Sequence, residues 1–283
     1  MDTQQSNYLI EIDTLQPASL KGLFTALKEQ VGEAYINITP DGISILQMDG
    51  THVVICQVEL KASNFDRYIC KRSVKLGVDI HNLAKVLKGV GAKSILTIFV
   101  EDPSSQVGGY DDPEAQQHFG LKIENTEKGE ITFVYIELRD INEDEIEPPD
   151  LDYPYTISMP SADLQAITNN MKNMEGDVAQ LRYSKGVLNF YTRGDVGRYS
   201  VDRSKTSKEE NSIKITKNFE DADEIIEICA KLQKLVEFAK GASLSNLATI
   251  YLKNDYPLFI EFDVGSLGFI KFGISPSKKP DNF

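Results

Sequence analysis

Apolar residues recur along this chain with two periods, and the switches between them mark out its elements. Leu20, Leu23, Phe24, Leu27 and Val31 follow one another at three- and four-residue steps, one stripe of an amphipathic helix. Leu164, Ile167, Met171 and Met174 repeat that stripe further on. Between the helical stretches the period drops to two. Residues 8–12, 34–38, 43–48, 53–60, 95–100, 131–138, 187–191, 258–262 and 269–274 alternate in the manner of half-buried antiparallel strands. Helices are few and strands many, which predicts an α+β fold with antiparallel sheets on one side and two helices per half covering the other.

The chain also repeats itself. At an offset of 144 residues, Ala18, Leu20, Leu23, Leu27, Lys28, Gly32, Glu33, Gly42 and Ile43 align without gaps on Ala162, Leu164, Ile167, Met171, Lys172, Gly176, Asp177, Gly186 and Val187. Near an offset of 149, Leu83-Ala84-Lys85-Val86-Leu87 resembles Leu232-Gln233-Lys234-Leu235-Val236. Shared spacing of glycine, acid and apolar residues points to duplication. Two similar domains are expected, residues 1–139 and 155–283, joined by a connector over residues 140–154.

Composition changes this picture little: 283 residues, 41% hydrophobic and 26% charged, suit two folded domains. The net charge of −13 changes it more, because it argues at first against a nucleic-acid partner. That charge is local. Residues 101–152 hold 16 acidic and 3 basic side chains, and the rest of the chain balances. Within this segment residues 103–120 read as a loop, while residues 140–153, with Pro148-Pro149, read as the connector. A solvated acidic linker accounts for the connector. Ile141, Ile146 and Leu151, spaced five apart, would also let it lie along a groove.

The polar faces of the helices carry lysine: Lys21 and Lys28 on the first, Lys85 and Lys88 on the second, Lys172 on the third, Lys231 and Lys234 on the fourth, with Lys240 at its end. A solvated face explains each helix taken alone. Lysine at duplicated positions on four helices also fits a positive stripe, suited to sequence-independent phosphate contact. Arg67, Lys71, Arg72 and Lys75 form a further basic cluster or an exposed turn before the second helix.

The run Leu46-Gln47-Met48-Asp49-Gly50-Thr51-His52-Val53, then Asn64-Phe65-Asp66-Arg67-Tyr68-Ile69-Cys70, then Leu76-Gly77-Val78-Asp79 and Leu83 to Lys88, resembles the proliferating cell nuclear antigen family, the sliding clamps of DNA replication. Met159-Pro160-Ser161, Tyr256-Pro257-Leu258 and Gly273-Ile274-Ser275-Pro276 extend the resemblance over nearly the whole chain, apart from residues 103–129. It implies a homotrimeric ring with helices lining the hole and sheets forming the outer wall. It also implies sequence-independent hold on duplex DNA, service to a DNA polymerase, loading by a clamp loader, and a nuclear location, or the cytoplasm or a host nucleus for an archaeal or viral chain. No cofactor or metal is implied.

By the same resemblance, the strand of residues 131–138, with Phe133, Val134 and Ile136, adds to a neighbour's strand of residues 196–203, with Arg198, Tyr199 and Val201. PIP-box peptides, of pattern Gln-x-x-apolar-x-x-aromatic-aromatic, would dock on Met48, His52, Val53, Ile55, Pro257, Ile274, Ser275 and Pro276, with Ile141, Ile146 and Pro148 of the connector. The family often has an aliphatic residue where Pro148 stands. Arginine or histidine is common where Ala166, Asn169 and Asn173 stand, and arginine where Gln233 stands. Lys185 is the nearest match to the lysine that ubiquitin and its relatives modify.

Other classes find less support. The nucleotide, zinc-protease and serine-hydrolase motifs are missing, and a carboxylate pair such as Asp49 with Glu101 has no spacing argument behind it. A DNA-bending saddle is also a duplicated α+β domain, but it calls for arginine, asparagine and apolar wedges on the sheet. A monomeric processivity factor or one subunit of a heterotrimeric ring is a nearer alternative. No apolar run approaches the roughly 20 residues of a membrane span. The first residues lack the order of a signal peptide, so a soluble, unsecreted protein is expected. Cys56, Cys70 and Cys229, without paired spacing, fit free thiols.

Overall fold

The computed structural model describes residues 8–102, 119–141, 146, 152–206, 212–220 and 225–280. In chain order its first elements are strand β1 (Tyr8–Thr14), helix α1 (Pro17–Leu27), and strands β2 (Glu33–Thr39), β3 (Gly42–Met48), β4 (Val54–Lys61), β5 (Arg67–Cys70) and β6 (Val74–Asp79). Helix α2 (Ile80–Lys88) and strands β7 (Ile95–Glu101), β8 (Phe119–Asn125) and β9 (Glu130–Ile136) follow. Strand β10 (Tyr155–Pro160) leads into helix α3 (Ser161–Lys172), then β11 (Val178–Ser184), β12 (Val187–Arg193), β13 (Arg198–Ser204), β14 (Lys214–Lys217) and β15 (Ile225–Lys231). Helix α4 (Leu232–Phe238) precedes β16 (Leu247–Leu252), β17 (Leu258–Val264) and β18 (Gly268–Ile274).

By contacts the chain forms two units. The first comprises Met1–Gln47, Val58–Ile146 and Val264–Gly268; the second comprises Met48–Gln57, Glu147–Asp263 and Phe269–Phe283. In the first, an antiparallel sheet of order β5-β1-β7-β8-β9 and the strands β6-β2-β3, with the second half of β4, close on α1 and α2. Ile36, Ile38, Ile45 and Val58 from one sheet meet Leu96, Ile98, Phe119 and Leu121 from the other, under Leu20, Leu23, Leu83 and Leu87 of the helices. This is the alternation of the sequence turned inward. Pro17 opens α1, where its missing N–H costs nothing. The Asp79 carboxylate caps α2 by accepting the Asn82 amide at 2.8 Å.

One glycine is required for geometry here. A Cβ on Gly77 would stand 2.0 Å from the Arg139 carbonyl oxygen, and the Arg139 amide donates to the Gly77 carbonyl at 2.8 Å. That close approach pins the start of the connector to β6, beside the bridge between Val78 and Leu138.

The second unit repeats the plan. Strands β14-β10-β16-β17-β18, with the first half of β4 next to β18, form one sheet and β13-β12-β11-β15 the other. Helices α3 and α4 pack together beneath. Leu164, Met171, Leu232 and Leu235 are buried, and Phe238 stacks on Phe272 with centroids 5.0 Å apart. The duplication survives in a backbone detail that corrects the sequence alignment, pairing Gly32 with Asp177 and Ile80 with Leu232 in place of Gly32 with Gly176 and Leu83 with Leu232: the first residue of α2 donates to the Gly32 carbonyl at 2.8 Å, and the first of α4 to the Asp177 carbonyl at 2.9 Å.

Differences from the sequence expectation are local. The apolar stripes overrun the helices, since α1 ends at Leu27 and Val31 closes the following turn with its amide on the Leu27 carbonyl. The second edge strand begins at Arg198, because Gly194 and Gly197 exchange backbone bonds in a turn that leaves Val196 outside it. Cys56, Cys70 and Cys229 are free thiols. No helix among the described residues is long and apolar enough to cross a membrane.

Candidate functional site

Three groups of residues offer chemistry: the helix lysines, the turn after β3, and the sheet edges. In the first unit α1 and α2 lie side by side, and Lys21 Nζ donates to the Lys88 carbonyl at the α2 C-terminus, 2.8 Å away, where a cation suits the helix dipole. Lys85 and Lys88 are exposed, and Lys28, seven residues after Lys21 at the C-cap of α1, is half-buried. These four give the helical surface of the first unit its basic character.

Arg67 and Lys75 do not join them. Arg67 bonds Glu11 at 2.8 Å and lies 3.9 Å from Asp13, both of which alternate with buried Ile10 and Ile12 and so face away from the core. Lys75 lies over the Tyr35 ring at 4.2 Å, on the sheet face opposite the one formed by Ile36 and Ile38. Lys71 and Arg72 are exposed in the turn between β5 and β6.

In the second unit Lys172, Lys231 and Lys240 are exposed on or beside α3 and α4. Ala166, Asn169 and Asn173 are exposed on and just past α3, and Gln233 bonds Glu237 at 3.0 Å. Lys234 is different. Its side chain is 22% exposed, with Nζ 3.6 Å from Asp49 and 3.3 Å from Glu237.

Asp49 opens the turn that carries several residues of the expected peptide pocket. Its carboxylate accepts the Val53 and Val54 amides, each at 2.9 Å, and the Thr51 hydroxyl at 2.8 Å. The same turn holds His52 in the left-handed region at φ 53°, exposed, with its amide on the Asp49 carbonyl. Burial by itself would raise the Asp49 pKa. The bonds from Val54, Thr51 and Val53 and the Lys234 charge outweigh it and hold the carboxyl below its ordinary value of 3.8.

A group depressed in the folded state adds stability above its unfolded pKa and loses it as pH falls through the folded value. Asp49→Asn is therefore expected to lower the urea midpoint at pH 7, with the gap to the parent closing below about pH 4. A gap independent of pH would show that the carboxylate charge is not what holds the turn.

Around this turn Met48, Val53 and Ile55 are half-buried, and Ser275 and Pro276 are exposed. The Ser275 amide donates to the Val53 carbonyl at 3.0 Å. Pro257 is half-buried, and its carbonyl accepts from the Tyr153 hydroxyl at 3.0 Å. Ile274 is fully buried, so its side chain serves the core. Beside these residues a cleft of about 310 Å³ is walled by Tyr153, Tyr251, Phe259 and Lys271. Sequence reasoning missed these walls, although Tyr251, Phe259 and Lys271 lie in strands with period-two alternation. Of the connector residues, Ile141 is buried in the first unit, where its backbone bonds the Tyr35 hydroxyl. Ile146 is half-buried, and Pro148 lies outside the described residues. Asp49 and Glu101 fall in different units, and Glu101 accepts from the Tyr135 hydroxyl.

The sheet edges form the third group. Each of β9 and β13 ends its sheet and has one strand partner among the described residues. Val134 and Ile136 stand opposite Leu121 and Phe119, on the core side, and are half-buried. Ile131, Phe133 and Tyr135 point the other way and are 56%, 49% and 55% exposed. Phe133 and Tyr135 cover the ring of Phe99, with centroids 6.3 and 5.7 Å away. On β13, Tyr199 and Val201 are half-buried opposite Thr192 and Phe190, Arg198 is exposed, and Arg203 pairs with Asp163 of α3.

Lys185 and Gly186 make the two-residue turn between β11 and β12, with φ of 49° and 83°. Such a turn prefers asparagine before glycine. Lys185→Asn is expected to raise stability by roughly 0.5–1 kcal/mol, read as a higher denaturant midpoint with the same slope.

Comparison with known proteins gives matches to one family over both halves of the chain. The family model described as the N-terminal domain of proliferating cell nuclear antigen matches residues 9–145, and that described as its C-terminal domain matches residues 147–277. A relative named proliferating cell nuclear antigen, from Chaetomium thermophilum, is 30% identical over 271 residues, covering 95% of this chain and 98% of its own length.

Proposed function

The chain belongs to the proliferating cell nuclear antigen family, the non-catalytic DNA sliding clamps that act as processivity factors, and from that premise we propose that it closes as a homotrimer around duplex DNA. The observation that carries this reading is the pair of open sheet edges. Strand β9 offers Val134 and Ile136, and β13 offers Tyr199 and Val201, on the core side of their sheets. Adding β9 of one copy to β13 of the next satisfies both edges, and head-to-tail repetition closes a ring.

Within such a ring Lys21, Lys28, Lys85, Lys88, Lys172, Lys231 and Lys240 supply weak, salt-sensitive phosphate contacts that allow sliding. The acidic segment of residues 101–152 is the part that repels DNA. The turn of Met48, His52 and Val53, with Ile55, Pro257, Ser275 and Pro276, receives PIP-box peptides of polymerase and other replication and repair proteins. The protein has no catalytic activity of its own, is placed on DNA by a clamp loader, and works in the nucleus. Lys185, exposed in a tight turn, is the candidate for covalent modification.

The test is topological. Protein loaded on circular DNA by a clamp loader should leave when the circle is cut and stay when it is intact. Equal retention on both would replace the ring with a saddle or groove binder.

A further inference from the structure

We infer that Lys234 acts on partner peptides rather than on DNA: paired with Asp49, it fixes the turn of residues 49–54 that presents Met48, His52 and Val53, a role that rests on the docking reading proposed above. Helical spacing alone groups Lys234 with the other lysines. Its surroundings do not. The ammonium sits between the carboxylates of Asp49 and Glu237, which offset its positive field toward a phosphate.

Asp49, in turn, needs this ammonium. Its carboxylate side chain is 5% exposed and holds the turn through the amides of Val53 and Val54 and the hydroxyl of Thr51. The Asp49 amide donates back to the Val54 carbonyl at 2.8 Å, which closes the turn on itself. Lys234 is the cation that the structure pairs with this carboxylate. Without it, a nearly buried anion either takes up a proton or swings out to water, and either change weakens its bonds to the two amides. The left-handed backbone at His52 depends on those same bonds. Helix α4 thereby holds the docking turn in register from behind, and Lys234 is a positioning residue for the peptide site.

The experiment compares full-length Lys234→Met and Lys234→Arg with the double variant Lys21→Ala/Lys85→Ala. Three quantities are read: amide hydrogen exchange of residues 49–54, affinity for a fluorescent synthetic peptide of pattern Gln-x-x-apolar-x-x-aromatic-aromatic, and salt-dependent retention on circular duplex DNA. Lys234→Met is expected to speed exchange at Val53 and Val54 by about tenfold and to weaken the peptide by roughly five- to tenfold, with DNA retention as in the parent. Lys234→Arg should restore both, and the lysine double variant should show the reverse pattern.

Parent-like exchange and peptide affinity in Lys234→Met, with DNA retention reduced, would overturn the inference and return Lys234 to the DNA surface. Failure of the parent itself to bind the peptide would sink the docking reading, while the exchange arm would still decide whether Lys234 holds the turn. Should Lys234→Met not fold, the pair Lys234→Met/Asp49→Asn, which strands neither charge, carries the comparison. Exchange at Val53 and Val54 in that pair equal to that in Asp49→Asn with Lys234 intact supports the role of the ion pair, because Lys234 then acts only through Asp49, and exchange faster still counts against it.

Discussion

Glutamate at both Val134 and Ile136 is expected to leave the protein monomeric and without a topological hold on circular DNA. The two side chains lie at the open edge of the β8–β9 pair, half-buried opposite Leu121 and Phe119. In an isolated subunit a carboxylate there can still reach water, so the fold should survive with a modest loss of stability. In a seam between β9 and a neighbour's β13 it cannot. Placing an unpaired carboxylate in such a seam costs several kcal/mol, repeated at every junction of a ring. Size-exclusion chromatography with light scattering, beside circular dichroism to check folding, decides the matter. An unchanged trimer would mean that copies meet elsewhere, and a monomeric parent would remove the ring reading altogether.

Replacing Lys21, Lys85 and Lys88 with alanine is expected to have the second largest effect, on DNA and not on assembly. The three lie on the helical surface of α1 and α2, Lys85 and Lys88 exposed and Lys21 half-buried, and on the proposed reading the substitutions would remove about three phosphate contacts per subunit. Each lost contact lowers the slope of log affinity against log salt by about 0.9. The variant should therefore bind more weakly at low salt and respond less to added salt, with retention on a circle shortened by about tenfold or more at moderate ionic strength. Peptide affinity should not move. Salt dependence equal to that of the parent would place the phosphate contacts on other side chains.

These expectations draw unevenly on the sequence. The helix stripes at Leu20 to Leu27 and Leu164 to Met171, the alternation along β2, β3, β4 and β12, and the offset of 144 that relates the start of α1 to that of α3 were legible, whereas from β2 on the halves run one residue out of that offset, with Pro40-Asp41 turning where Lys185-Gly186 does. They follow from periods of 3.6 and 2, which a linear sequence displays directly. Strands β5, β6, β10, β11, β14 and β16 were not read from the sequence, and neither were β8 and β15. Of the last two, β8 lies within the acidic segment, and β15, Ile225–Lys231, has too continuous an apolar run to separate a strand from a buried helix turn.

The candidate site divides along the same line. That lysines recur on four helices was visible from spacing, because spacing decides which residues share a helical face. Whether each lysine offers its charge was not visible, because that depends on carboxylates distant in the chain. Lys234 meets Asp49 across 185 positions, and Arg67 meets Glu11 across 56. Lys75 lies on a sheet face opposite the helices, which follows from strand register. Chain order was enough to recognise a duplicated α+β clamp and its basic helices. Pairing in space decided which of those bases stay available, since an ion pair depends on distance in three dimensions and leaves no period in one.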